Sequence, residues 1–145
     1  MPPPLSEDEW HTLLSFRIAL KRFLDWSEGE AASVGLTAAQ HALLIVIRGH
    51  PGKDDPTITD VARSLFIRHH SAIGLVDRAV ATGLVERYRD EADQRLVHLA
   101  LTPIGHERVD ALARAHLEEL RRLAPLLDAL ARAGRGGTDG RRGRD

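Results

Sequence analysis

Asp90-Glu91-Ala92-Asp93-Gln94-Arg95-Leu96-Val97-His98-Leu99-Ala100-Leu101-Thr102-Pro103-Ile104-Gly105 is the stretch on which the fold turns. Its charged first part predicts a hairpin tip. Leu96 to Leu101 is apolar enough for a strand, and Leu84 to Arg89 supplies the strand before it, leaving a six-residue tip between them. Thr102-Pro103 then opens a helix, with threonine as the cap and proline at the first helical position, where its missing donor costs nothing.

Upstream, Val61 to Val85 reads as two helices joined by a tight turn. Thr57-Ile58 predicts a short strand and Thr59 a cap, with Val61, Ala62 and Leu65 facing inward. The second helix starts near Arg68 without a good capping residue. Its inward set Ala72, Leu75, Val76 and Ala79 is spaced i, i+3, i+4, i+7. Gly83 supplies the left-handed residue that closes it. A helix-turn-helix followed by a charged ribbon is the layout of a winged helix, which offers one helix and one loop to duplex DNA.

The flanks predict helices. Ser6 and Glu9 have capping-box spacing, and Leu5 with Trp10 that of a hydrophobic staple. The helix behind them is apolar on more than one side, through Trp10, Leu13, Leu14, Phe16, Ile18, Leu20, Phe23 and Leu24. A surface helix needs one apolar stripe, so the second is expected to meet another copy of the chain. Thr37 and Gln40 give a second capping box, and Ala42 to Ile47 is apolar all round, which predicts a central buried helix. After Thr102 a helix runs to about Leu123, and Pro125 separates it from a last short helix to Ala133. The expected fold is mainly α (α+β), a winged helix-turn-helix with long N- and C-terminal dimerisation helices. Its divisions are a dimerisation helix over 1–35, a DNA-binding region over 36–102, C-terminal dimerisation helices over 103–133 and a disordered basic tail over 134–145.

Composition narrows the function. The 145 residues fit one compact domain with its ends, and 43% hydrophobic content supports a core. No run of 18 apolar residues spans a membrane, and Met1 to Leu5 lacks the regions of a signal peptide, so a cytoplasmic location is expected. Cysteine is absent, which removes disulfides, thiolate metal sites and thiol redox sensing. The formal net charge of −1 does not announce a nucleic-acid binder. From Arg132 onward the chain holds five arginines and two aspartates, which leaves the body near −4. DNA binding therefore requires arginines gathered on one face.

Four motifs, in order and at matching spacing, carry a resemblance. Leu36-Thr37-Ala38-Ala39-Gln40 opens the second helix, and Leu75-Val76-Asp77-Arg78 lies in the second helix of the pair. Gly83-Leu84-Val85-Glu86-Arg87 follows, then Asp93-Gln94-Arg95 running to Leu101-Thr102 and Gly105. The chain resembles the MarR family of bacterial transcription regulators over roughly Leu36 to Leu123. The resemblance implies an obligate homodimer with interlocked terminal helices and a palindromic operator, usually repressed. It often implies release by a small phenolic or other aromatic effector. Two departures stand out: Gln94 holds a place more often taken by arginine, and Ile73-Gly74 replaces a polar residue and an arginine.

Arg95 is the leading candidate for a DNA contact, because a side chain at a hairpin tip can enter a minor groove and respond to its width. Asp93 orients its guanidinium; the competing reading is an exposed turn ion pair worth under about 1 kcal/mol. Arg68, His69, His70 and Ser71 form the first turn of the recognition helix, the part that reaches base edges and phosphates. Gly74 costs that helix about 1 kcal/mol relative to alanine and lets its backbone approach the groove. Ile73 serves equally as a thymine-methyl contact or as core. Arg87 and Arg89 share a strand face that reaches phosphates or carries structural charge. Thr37, Ala38 and Gln40 offer backbone amides to one phosphate, beside their plain capping role.

The eight histidines, His11, His41, His50, His69, His70, His98, His106 and His116, include no i, i+4 pair, so no metal site is expected. No cofactor is expected either. Trp26 and His41 are candidates for a ligand pocket, against the commoner reading of core. No phosphate loop, cysteine nucleophile or set carboxylate pair suggests an enzyme. The expectation is a DNA-binding transcriptional regulator, a ligand-responsive repressor acting as a homodimer without a membrane partner. Its rivals are a winged-helix protein-interaction module with no operator, and a small ligand-binding protein or enzyme on a helical dimer.

Overall fold

The computed structural model describes residues 1–133. The basic tail expected over 134–145 lies outside the described residues. Six helices and one hairpin follow in order: α1 (Glu7–Ser33), α2 (Ala38–Gly49), α3 (Ile58–Leu65), α4 (His69–Ala81), β1 (Val85–Arg89), β2 (Val97–Leu101), α5 (Pro103–Arg121) and α6 (Ala124–Ala133). Among the described residues no single helix is long and apolar enough to cross a membrane.

The helix starts follow local chemistry. Ser6 N donates to Glu9 Oε2 at 2.7 Å and Glu9 N donates to Ser6 Oγ at 3.2 Å, closing the capping box. Three acids, Glu7, Asp8 and Glu9, favour the positive end of α1. Thr37 and Gln40 close the same reciprocal pair at α2. A third box was not expected. Thr57, not Thr59, caps α3, because Asp60 lies three residues on and accepts from the Thr57 amide at 2.9 Å. Ile58 is accordingly helical rather than extended, and only Thr57 keeps a strand character, bridging antiparallel to His98.

Residues 28–114 form one compact unit, the winged helix. β1 and β2 pair antiparallel, with Val85 opposite Leu101 and Arg89 opposite Val97. Its core gathers Leu43, Leu44, Val61, Ala72, Val76, Ala79, Val85 and Leu99, all at or below 2% exposure. The four inward positions expected in α4 are all buried. Ala31, Val109 and Leu112 join this core, so the end of α1 and the start of α5 belong to the unit. α2 is not buried all round: Ile45 is 48% exposed, because only the face of Leu43, Leu44 and Ile47 meets the core. Gly83 takes φ 76°, as its role in closing α4 requires. Phe66 is a different case. It is left-handed at φ 54° in the turn between α3 and α4, with its ring 96% exposed.

The second unit comprises Met1–Ser27 and the chain from Ala115 onward. It packs Trp26 against His116 at 4.7 Å between ring centroids, with Phe23 beside both. Ser27 Oγ lies 2.7 Å from His116 Nε2. Trp10, Leu14, Leu24, Leu117, Leu120 and Leu127 are each about half exposed.

Candidate nucleic-acid interface

Three elements of the winged-helix unit meet at one small cleft of about 120 Å³. It is lined by Thr57, Ile58 and Thr59 at the start of α3, His69 at the start of α4, and Arg95, Leu96 and Val97 of the wing. The two groups singled out from sequence, the recognition-helix start and the ribbon tip, thus share a surface.

The tip is shaped by Asp90. Its Oδ1 accepts from the amides of Ala92 and Asp93 at 2.9 and 2.8 Å, turning the chain so that Asp93 faces Arg95. Asp93 Oδ1 accepts from the Arg95 amide at 3.1 Å and from Arg95 Nε at 3.0 Å, and its Oδ2 accepts from Nη2 at 3.2 Å. These bonds from Arg95 hold the Asp93 carboxyl below its usual range. A guanidinium carries five N–H donors. Asp93 uses two of them, and the Arg95 side chain is still 90% exposed. The fork is held extended with its other donors free for an anion.

Arg68, His69, His70 and Ser71 are exposed, and no side chain caps α4 at Arg68. The first amides of the helix and its positive dipole end are therefore open to phosphate. Gly74 sits behind them, half-buried, with only Arg78 Nη1 near the place a Cβ would take. Ile73 is 37% exposed on the same helix, outside the core.

Arg87 and Arg89 act inside the fold. Arg87 Nη1 makes a short ion pair with Asp77 Oδ1, joining β1 to α4. Arg89 Nη1 donates to the Gln94 carbonyl at 2.7 Å across the base of the tip. Arg87 braces the wing against the recognition helix, and Arg89 braces the hairpin within itself. The amides at Thr37 and Gln40 are engaged with each other's side chains in the capping box.

A family model described as MarR family matches residues 34–96, the winged helix just described. Over these residues the chain is similar to the MarR family. Solved structures of similar fold include AbsC, a MarR family transcriptional regulator from Streptomyces coelicolor, at TM-score 0.68 and 21% identity over 83% of this chain and 81% of that one. A Staphylococcus aureus MepR–DNA complex aligns at TM-score 0.66 and 20% identity, over 84% of this chain and 85% of that one. A probable transcriptional regulator from Pseudomonas aeruginosa aligns at 0.60 and 26%, over 77% and 82%. Curated protein sequences give no match.

The two candidate ligand residues fall in different units, Trp26 in the terminal unit and His41, buried at 4% exposure, in the winged helix. Trp26 packs on His116, a partner 90 positions away that no spacing rule could supply. Among the described residues no three His, Asp or Glu side chains gather as a metal site would require. The sequence reading missed the roles of Asp90 and His98. His98 is 6% exposed, with Nε2 2.7 Å from Asp90 Oδ2 and Nδ1 2.7 Å from the Asp55 carbonyl oxygen. The available signal was His98 standing inside a strand three residues past the tip motif, where a histidine needs a polar partner to be buried.

Proposed function

We propose that this chain is a transcriptional repressor that binds a palindromic operator as a homodimer. The observation that carries the reading is the cleft shared by His69 and Arg95, with the Arg95 fork held open by Asp93. In the proposed complex α4 enters the major groove and offers Arg68, His69, His70 and Ser71 to base edges and phosphates, with Gly74 allowing close approach. Arg95 enters the flanking minor groove. Arg87 ties the wing to α4, Arg89 holds the base of the tip, and Asp93 orients Arg95.

The homodimer reading draws support from the half-exposed apolar residues of the terminal unit, Trp10, Leu14, Leu24, Leu117, Leu120 and Leu127. A symmetric pair sets the two recognition helices about 34–36 Å apart, one turn of DNA. Release by a small aromatic effector completes the proposal by family likeness.

Selection of bound duplexes from a random pool gives the operator, and anisotropy titration gives affinity against salt. Arg95→Ala should weaken every selected duplex by about 1–3 kcal/mol and reduce the salt slope by about 1. An unchanged isotherm and slope removes Arg95 from the DNA surface. Sedimentation equilibrium in the same buffer should give twice the 16.0 kDa chain mass.

A further inference from the structure

His98 has no water-facing alternative to its two partners, and both partners are acceptors. A carbonyl oxygen only accepts, so the 2.7 Å contact to Asp55 O places a proton on Nδ1. Asp90 is an ionised carboxylate: the amides of Asp93 and Ala92 and the His98 ring hold it well below the ordinary carboxylate range. Its contact at 2.7 Å therefore places a proton on Nε2 as well. With both nitrogens donating, the ring is an imidazolium.

The elements around it suit a cation. The tip presents Asp90, and the loop before α3 presents Asp54 and Asp55. β1 presents the Tyr88 ring, stacked at 5.4 Å between centroids, whose hydroxyl donates to Asp55 Oδ2 at 2.6 Å. α3 adds the backbone bridge at Thr57, and its Asp60 carboxylate is held by its own cap. α2, also packed on β2, carries buried His41 and exposed Arg48.

We propose that His98 is a proton-dependent positioning residue: as an imidazolium it ties Asp90 of the wing tip to the Asp55 loop, and its deprotonation releases the tip that carries Arg95. Losing either proton turns a lone pair toward an oxygen at 2.7 Å, without water to take its place. If Asp90 swings away, the turn it holds through Ala92 and Asp93 loosens. If the loop leaves instead, the Leu99 amide loses its 2.9 Å bond to the Pro56 carbonyl. Either way the Arg95 fork loses its fixed direction. The consequence for DNA rests on the operator reading above, whereas the proton-dependent order of the free wing does not.

The test uses the full chain labelled with ¹⁵N and ¹³C. Ring nitrogen shifts of His98 should show both nitrogens protonated at pH 7, with a midpoint above the ordinary histidine value. Amide protection at Leu96 and Leu99, corrected for intrinsic exchange, should fall through the same midpoint. Asp90→Asn should bring the midpoint down toward the ordinary histidine value. A single neutral tautomer at pH 7, or protection indifferent to the His98 titration, overturns the proposal. On a selected operator duplex, affinity of the dimer should then fall at most a hundredfold per pH unit above that midpoint, since each of its two wings carries one such proton. A wing that loosens on schedule while operator affinity stays flat keeps the His98 device and sinks the DNA role of the wing.

Discussion

Gly105→Ala should unfold this protein more readily than its mild chemistry suggests. A Cβ at position 105 would stand 2.2 Å from the Leu84 carbonyl oxygen and 3.2 Å from its carbon, both backbone atoms of the turn after α4. Relief requires the first turn of α5 to move by more than an ångström. That turn is tied down by Thr102 N donating to Leu84 O at 3.1 Å and Thr102 Oγ donating to Gly83 O at 2.5 Å. Losing both bonds costs about 1 kcal/mol each, and overpacking a filled site adds about 1–3 kcal/mol. Alanine returns about 1 kcal/mol through helix propensity. The net loss is about 2–4 kcal/mol, a large share of the 5–15 kcal/mol or so that holds a domain of this size. Urea unfolding followed by far-UV circular dichroism, at fixed chain concentration, should show a lower midpoint with an unchanged slope. Gly74→Ala is the paired control. Its Cβ meets only Arg78 Nη1 at 3.4 Å, the end of a flexible side chain, so the same substitution should stabilise by up to about 1 kcal/mol. Equal stability of Gly105→Ala and the native chain, or a greater loss from Gly74→Ala, would refute the reasoning.

Phe66→Gly should raise the urea midpoint, because phenylalanine at φ 54° carries a left-handed strain of about 1–2 kcal/mol and its 96% exposed ring returns no burial; a drop in stability shows a contact that the exposed ring conceals. Thr57→Ala should cost about 1 kcal/mol through loss of the α3 cap, whereas Thr59→Ala should cost less, and reversed values place the cap wrongly. The folded carboxyls of Asp60, Asp90 and Asp93 lie below the ordinary aspartate range, held there by Thr57, by the Asp93 amide and by Arg95 respectively. Their contribution is complete above the unfolded value and is lost as pH falls through the folded ones, so on the acid side urea midpoints should decline below about pH 4. A flat acid profile down to pH 2 would exclude it.

What could be read in the sequence was what depends on near neighbours. Ser6 with Glu9, and Thr37 with Gln40, are three residues apart, and a side chain of that length can only reach back to its own turn. The inward face of α4 was legible for the same reason, as its period is set by the helix itself. Thr57 with Asp60 carried an equal signal. It was passed over because Thr59 stands nearer the apolar run, and an N-cap is defined by what lies three residues on rather than by nearness to the core. Ile45 was expected inside because its neighbours are apolar, but a helix of one layer has only one face to bury. The braces of the wing had no local trace. Asp77 meets Arg87 across two elements, and His98 meets Asp55 across 43 positions. Such pairs exist only once the chain has folded.

The near-neutral charge posed a real objection to a DNA surface, and the wing shows how it is met. Three of the acids at the tip and its base are engaged within the fold: Asp77 by Arg87, Asp93 by Arg95 and Asp90 by His98 together with two amides. An engaged carboxylate presents little field to a phosphate a few ångströms away, because its partner's charge sits beside it. The pairs differ in what they leave over. Arg87 is half covered, whereas the Arg95 side chain is 90% exposed with donors still free. Net charge therefore sets long-range attraction, while the local surface depends on which cations retain unengaged donors. A near-neutral chain of this design should associate with DNA more slowly than a basic homologue of equal affinity, and its association rate should respond less to salt than its dissociation rate does. Stopped-flow kinetics on a selected duplex decides the point; a salt effect carried mainly by the association rate would mean that the charge balance of the whole chain, and not the wing, governs binding.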